Sequence, residues 1–312
     1  MSKQHRLDPT PETVHWGYFD AKLPARLEVD SGDTVVVDTV SGWFEVAPDE
    51  RLYRPEHLEV IRKVKPELGR HILTGPIAVR GAQPGDSLEV RIKAIELTAD
   101  WGWNTIRPLR GALPEDFPQF ESRVIPLDRE AMSAQLAWGP KIPLQPFFGI
   151  LGTAPRPEYG RISSVEPREF GGNVDCKEYV AGTSVFLPVF VPGANFSAGD
   201  GHAVQGDGEV CLTALETCLK GTFELVLHKN TKLAMPRAIT PTHYITLGLD
   251  VDLDDAAKQA LRDMIAWLVA MQGWKPSEAY VFCSLACDLH VTQLVDGNKG
   301  VHAMVRKELL KY

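Results

Sequence analysis

The chain has 312 residues, of which 44% are hydrophobic and 24% charged, and a formal net charge of −8. That length and balance suit a folded chain with a sizeable core, as one large domain or two packed ones, and not a disordered one. No block of Lys and Arg stands out, so the electrostatic footprint of a nucleic-acid binder is missing and no nucleic-acid partner is expected.

The first twenty residues, MSKQHRLDPTPETVHWGYFD, are polar and carry no apolar core of a secretory signal. The longest apolar runs, such as 185–192, are too short to span a bilayer, so no membrane partner is expected. Five scattered cysteines, an odd number, read as free thiols in a reducing compartment, which predicts a cytoplasmic protein. Cys283 and Cys287 stand four apart, but no second Cys/His pair at zinc-finger spacing accompanies them, and they read as core thiols.

Short β-type runs dominate the first three-quarters: 25–29, 34–39, 77–79, 87–92 and 183–191, rich in Val, Ile, Leu and Thr and bounded by turn residues. Ser31-Gly32-Asp33-Thr34 and Pro84-Gly85-Asp86-Ser87 each precede an alternating strand, and read as structural strand-entry turns. From 101 to 146 the pattern is irregular. A stretch of that length suggests a functional loop or lid whose Trp101 and Trp103 wall a pocket, or else short strands without clear periodicity. One helix is plain: Asp252-Leu253-Asp254-Asp255 places acids at its start, Leu261, Ile265, Leu268 and Val269 form an apolar face, and Gly273 ends it. A second, more buried helix is expected over 277–287 and a strand over 291–295. The predicted architecture is mainly β, with a β body over 1–235 and an α+β portion over 236–312 packed tightly on it.

Polar site chemistry concentrates between Gly171 and Glu216. After Gly171-Gly172-Asn173-Val174-Asp175, the stretch from Gly199 to Glu209 holds three carboxylates, His202, Gln205 and four glycines. Glycines let a backbone turn sharply and approach a ligand closely. Imidazole nitrogen with carboxylate oxygen suits zinc, or a harder divalent ion where oxygens dominate. The stretch lacks the acidic spacing of an EF-hand. No phosphate-binding G-x-x-x-x-G-K-[ST] loop, no G-x-G-x-x-G unit and no G-x-S-x-G nucleophile elbow is present.

Several of these pieces resemble the acetamidase/formamidase family. They are the Gly-Asp turn at 32–33, His71-Ile-Leu-Thr-Gly-Pro-Ile with Gly-Ala-Gln-Pro-Gly-Asp86 after it, Gly171-Gly-Asn-Val-Asp175, and above all the run from Leu187 to Val210. Ser284-Leu-Ala-Cys-Asp288, Val-Thr-Gln293 and Gly300-Val-His302 resemble the family's C-terminal pattern. His15-Trp-Gly-Tyr and the 100–146 segment match less well. The resemblance implies hydrolysis of a small amide to a carboxylate and ammonia, a β-sandwich-like body with an α+β portion, and a homo-oligomer. The matching site residues are Asn173, Asp175, His202, Gln205, Asp207 and Glu209.

Amide hydrolysis needs an activated water, stabilisation of charge on the carbonyl oxygen and a proton for the leaving nitrogen. A divalent ion, zinc first and calcium or another ion as alternatives, supplies the first two by lowering the pKa of its water from 15.7 toward about 7. On this reading Asp175, His202 and Asp207 hold the ion, Glu209 is the general base and then the acid, and Asn173 and Gln205 orient the substrate amide. The rival route uses Cys176 or Ser284 as nucleophile. His71 and His302 either reach the site or satisfy buried carbonyls, and Asp288 has no assigned role. The alternatives in function are hydrolysis of another C–N bond, such as a cyclic imide or lactam, and a non-enzymatic metal-dependent ligand-binding protein.

Overall fold

A computed structural model describes residues 2–310. Two large sheets share one apolar core, the arrangement expected of a β-sandwich-like body. The first, nine-stranded, runs in the order Gln4–Leu7, Asp33–Asp38, Leu219–His228, Ser87–Leu97, Ser184–Pro188, Arg237–Ile239, His243–Asp250, Lys299–Arg306, Cys287–Gln293. The second has eleven strands and is centred on Phe196–Val204, flanked by Phe147–Gly152, Ile72–Val79 and Leu215–Glu216.

The period-2 rule builds the inner faces. Along Leu219–His228 buried and half-buried positions alternate, and Phe223 and Leu225 point inward with Val35, Val37, Leu88 and Val90 from neighbouring strands. The opposite sheet answers with Phe148, Phe196 and Ala198. The Phe223 ring meets Phe148 at 5.3 Å and Phe196 at 5.8 Å, in the edge-to-face geometry that aromatic quadrupoles favour.

Beyond residue 236 the chain adds strands to the same nine-stranded sheet and covers them with two helices. The first and shortest α-helix among the described residues, α1 (Pro55–Lys63), lies elsewhere, under the second apolar cluster with Trp16, Trp101 and Trp103. Then α2 (Leu253–Gln272) and α3 (Pro276–Ala286) pack Ala260, Met264, Leu268, Ala279 and Cys283 against Val301, Ala303 and Val305. Asp252 caps α2 by accepting from the Asp254 and Asp255 amides at 2.9 and 3.1 Å, and Gly273 closes it at φ +69°.

The helix seats directly on the strand at Gly248, where an added Cβ would lie 1.9 Å from the Ala256 carbonyl oxygen. Gly248→Ala therefore overpacks a backbone contact and is expected to cost about 3 kcal/mol, the upper end of the overpacking range, read as a lowered urea midpoint.

Two local expectations need revision, and for 101–146 the second of the two readings holds. That segment contains short strands, Trp101–Ile106, Glu121–Asp128, Ser133–Gln135 and Lys141–Pro143, which form a meander at one end of the second sheet. Much of Glu121–Asp128 is solvent-facing, with Val124 exposed, so its alternation is blurred. The second helix is not the more buried one: α3 buries Ala279 and Cys283 but exposes Tyr280, Val281 and Leu285. The strand expected at 291–295 runs instead over Cys287–Gln293. The strand-entry turns are structural, as read. Asp33 accepts from the Lys3 and Asp30 amides, and Asp86 from the Gln83 and Asn230 amides. Among the described residues, no helix is long and apolar enough to cross a membrane.

Candidate active site

The strand Phe196–Val204 carries Asp200 and His202, two residues apart and hence on one face. His202 stands opposite Glu216 of Leu215–Glu216, and Glu216 stands opposite Trp103, so the register places these three side chains in a row across three strands. Asp175 follows the strand Gly171–Asn173, and Glu209 sits on the loop after Phe196–Val204. Asp296 comes from the loop after Cys287–Gln293. Gln293 shapes that loop: its Oε1 accepts from the Val295 and Asp296 amides at 2.9 and 3.1 Å, and its Nε2 donates to the Asn298 carbonyl at 2.7 Å.

Asp175, Asp200 and Glu209 all hold positive φ, at +54°, +57° and +46°. Non-glycine residues rarely take that conformation, and its cost is tolerated chiefly where side chains must be aimed.

These residues form one buried cluster of five carboxylates (Asp175, Asp200, Glu209, Glu216, Asp296) around His202. Nε2 of His202 lies 3.1 Å from Asp200 Oδ2, 3.2 Å from Glu216 Oε1 and 3.9 Å from Asp175 Oδ1. Nδ1 lies 2.9 Å from Gln205 Oε1. The Gln205 amide nitrogen donates to the Asp175 carbonyl at 2.9 Å and toward the Thr292 carbonyl at 3.4 Å. That fixes which end of the amide faces the ring, so Nδ1 of His202 must be the donor and Nε2 faces the carboxylates.

Burial and mutual repulsion dominate the electrostatics. Burial, with Glu209 and Asp296 adding to it, pushes Asp175 well above the usual carboxylate range, and burial with Asp296 and Glu216 does the same to Glu209. Burial also lifts Glu216 and Asp296 to about 7. Burial works against the charge on Asp200, yet His71 and His202 outweigh it and hold that carboxyl low. Burial likewise opposes protonation of His202, but Glu216 and Asp200 outweigh it and raise its pKa well above the ordinary value.

The donor set fits a divalent cation. Ligand atoms of Asp175, Asp200 and His202 lie within 4.8 Å of one another, as do those of His202, Glu209 and Glu216 and those of Asp175, Glu209 and Asp296. Both Asp175 oxygens, Glu216 Oε2 and Asp296 Oδ2 are buried without a hydrogen-bond partner. Carboxylates packed this way lack a positive partner, which a cation provides. Gly149 leaves room for them: a Cβ there would lie 2.5 Å from both Asp175 Oδ1 and Asp200 Oδ2.

Asp200, Glu209, Glu216 and Asp296 line one side of a cavity of about 310 Å³. Its other walls include Val40, Trp43, Trp103, Val165 and Leu212, with Arg70, Arg107 and Arg110 also lining it. Asn173 faces this space. Its Nδ2 donates to the Val165 carbonyl at 3.1 Å, leaving Oδ1 buried and unpartnered. Trp103 Nε1 is a second unpartnered buried group on the lining. Trp101 instead donates to the Leu52 carbonyl and packs in the apolar cluster.

Of the six residues singled out from the sequence, Asn173, Asp175, His202 and Glu209 meet here. Gln205 is adjacent, but both ends of its amide are engaged by the protein. Asp207 is not in the cluster: it points outward, pairing with Lys177 at 3.0 Å and His290 at 3.1 Å. Asp200, Glu216 and Asp296 were missed as site residues. The two-residue spacing of Asp200 and His202 was a usable signal. Glu216 and the Asp296-Gly297 turn carried none. His71 lines the cavity and donates to or accepts from Ser164 Oγ at 2.9 Å, whereas His302 is bonded to Thr292 Oγ1 and does not line it. Cys176 is buried off the lining with its thiol pushed well up by burial, and Ser284 is exposed on α3, so neither rival nucleophile faces the cavity.

A buried cluster of carboxylates and one imidazole beside a small, partly aromatic cavity is a place where a small polar molecule can be held, and by its family the chain is an amidohydrolase acting on linear amides. It belongs to the Acetamidase/Formamidase family, whose sequence model matches residues 3–161 and 160–306. The fold superimposes on an acetamidase from Bacillus halodurans with a TM-score of 0.84 and 30% identity, covering 98% of both chains. An acetamidase from Yersinia enterocolitica gives a TM-score of 0.86 and 30% identity over 99% of this chain and 93% of that one. The acetamidase of Mycolicibacterium smegmatis is 27% identical over 253 residues, 58% of this chain and 62% of that protein.

Proposed function

We propose that this cavity hydrolyses a small primary amide to its carboxylate and ammonia, assisted by a divalent ion for which zinc is the first candidate. The observation that carries the reading is the buried cluster of five carboxylates around His202, several of their oxygens unpartnered. Asp175, Asp200 and His202 would hold the ion, with Asp200 taking the place that the sequence reading gave to Asp207. When bound, the ion supplies Lewis acidity toward the amide carbonyl and makes a nearby water acidic enough to lose a proton near neutral pH.

Glu209 would take that proton. Burial raises its affinity for protons, which suits a group that must first accept one and then return it to the departing nitrogen. Asn173 lines the cavity, and its buried Oδ1, without a partner in the protein, would be an acceptor for the substrate's NH₂. Trp103 Nε1 is a donor available to the substrate oxygen. The apolar wall of Val40, Trp43 and Leu212 receives the amide's side chain and sheds water from the reacting bond. Gln205 acts through His202 rather than on substrate. Gln205→Leu is expected to cost about 10–100-fold in activity or metal affinity, because outer partners of a ligating imidazole set its tautomer and orientation; Gln205→Asn should not restore the reach.

Self-association fits the exposed apolar side chains Tyr280, Val281 and Leu285 of α3 beside Leu289 of the edge strand Cys287–Gln293. The five free thiols suit a reducing compartment.

The function is tested by incubating the purified protein with a panel of aliphatic primary amides and measuring ammonia and carboxylate. The reading predicts both products in equal amounts. A ring-opened lactam or imide with no ammonia from any linear amide would replace the proposed substrate class.

A further inference from the structure

Asp207 and Glu209 stand two residues apart on one loop, and the loop sends them to opposite sides. Glu209 goes into the cavity. Asp207 goes to the edge of the nine-stranded sheet, where its Oδ2 lies 3.1 Å from His290 Nδ1. His290 and His302 are cross-strand partners, and their rings stack at 5.0 Å with planes 9° apart. Ligand atoms of Asp207, His290 and His302 all lie within 4.8 Å of one another.

His302 is fully buried. Its Nδ1 pairs with Thr292 Oγ1 at 2.8 Å, and its Nε2 has no partner. A buried imidazole nitrogen without a partner is costly, and here it belongs to a residue already grouped with a second imidazole and a carboxylate. The hydrogen bond at Nδ1 is the kind of outer contact that fixes the tautomer of a ligating histidine.

We infer that Asp207, His290 and His302 form a second metal site, separate from the cavity, for a borderline-soft divalent ion such as Zn²⁺. Two imidazoles and one carboxylate are a familiar zinc donor set, and the partly exposed Asp207 and His290 leave room for water to complete four-coordination.

The site's role is structural. The loop is already tied to this strand by backbone bonds from Gly208 N to the Thr292 carbonyl at 3.2 Å and from Leu294 N to the Gly208 carbonyl at 3.0 Å. A metal joining Asp207 to His290 and His302 would clamp the same loop at its outer side while Glu209 works at its inner side. Lys177 donates to the same Asp207 oxygen at 3.0 Å and competes with the ion for it. On binding, Lys177 must release Asp207, which its partly exposed and flexible chain allows.

The test is equilibrium dialysis of the full-length protein against Zn²⁺ followed by elemental analysis, with circular dichroism to establish folding. His290→Ala and Asp207→Asn are each expected to bind one equivalent less than wild type. Lys177→Met should bind that equivalent about two- to fivefold more tightly, the effect of removing one surface ion-pair competitor. Asp200→Asn, a cavity variant, should keep it. Wild-type zinc content in folded His290→Ala and Asp207→Asn would overturn the second site and leave the cavity reading untouched. Loss of zinc in those two variants, with no loss in Asp200→Asn, would support the second site and count against an ion in the cavity.

Discussion

Glu209→Gln is expected to lower kcat by about 10²–10⁴-fold, the range for removing a general acid–base group, while metal content and unfolding temperature stay near wild type. The change keeps the shape of the side chain and removes only its ability to take a proton. Glu209 holds its position through backbone features that a glutamine shares: φ of +46° and a turn bond from its amide to the Gly206 carbonyl. Removing one carboxylate also relieves repulsion among five buried acids, so stability should hold or rise. The prediction thus separates catalysis from structure. A kcat within about threefold of wild type would remove Glu209 from the chemistry and move the base to Glu216 or Asp296, the two neighbours whose burial lifts them to about 7.

Gly149→Ala is expected to lower kcat/KM by at least about 10²-fold without unfolding the protein. The backbone at 149 is ordinary extended chain in the strand Phe147–Gly152, so alanine is conformationally acceptable. The added Cβ, however, would lie 2.5 Å from a carboxylate oxygen of Asp175 and of Asp200, and 2.8 Å from Cε1 of His202. Three side chains must then retreat from their common point. A displacement near 1 Å at reacting groups suffices for a loss of about 10². Steady-state kinetics with the melting temperature checks it. Near-normal kinetics in Gly149→Ala would mean that the Asp175–Asp200–His202 geometry does not matter to turnover.

The fold was legible in outline because its strands obey a simple alternation. The 34–39 run falls on the strand Asp33–Asp38, overrunning it by one residue, the 87–92 run lies inside Ser87–Leu97, and the acids at 252–255 with Gly273 bracket α2 closely. Where outer faces carry apolar or irregular residues, as at Val124, the pattern blurred, and the strands in 101–146 stood only as the alternative to a loop. The helix α1 was passed over, although Leu58, Val60 and Ile61 give its nine residues an apolar side that packs into the second cluster.

The site was half legible. Asp175, His202 and Glu209 sit in a glycine-rich stretch whose composition advertises close approach, and they do converge. Asp207, from the same stretch, turns the other way because loop geometry, not composition, sets direction. Glu216 reaches the cluster through strand register and Asp296 through a loop braced by Gln293, and both are long-range consequences of topology.

The central claim is that the buried carboxylates and His202 hold a divalent ion required for amide hydrolysis. The most direct measurement is elemental analysis of the purified protein coupled to ammonia release before and after chelation. The account predicts near-stoichiometric or higher divalent metal, loss of ammonia release on chelation and its return when zinc is restored, with Asp200→Asn inactive throughout. Full ammonia release from protein shown to be metal-free would contradict it and leave the carboxylates to act by proton transfer alone.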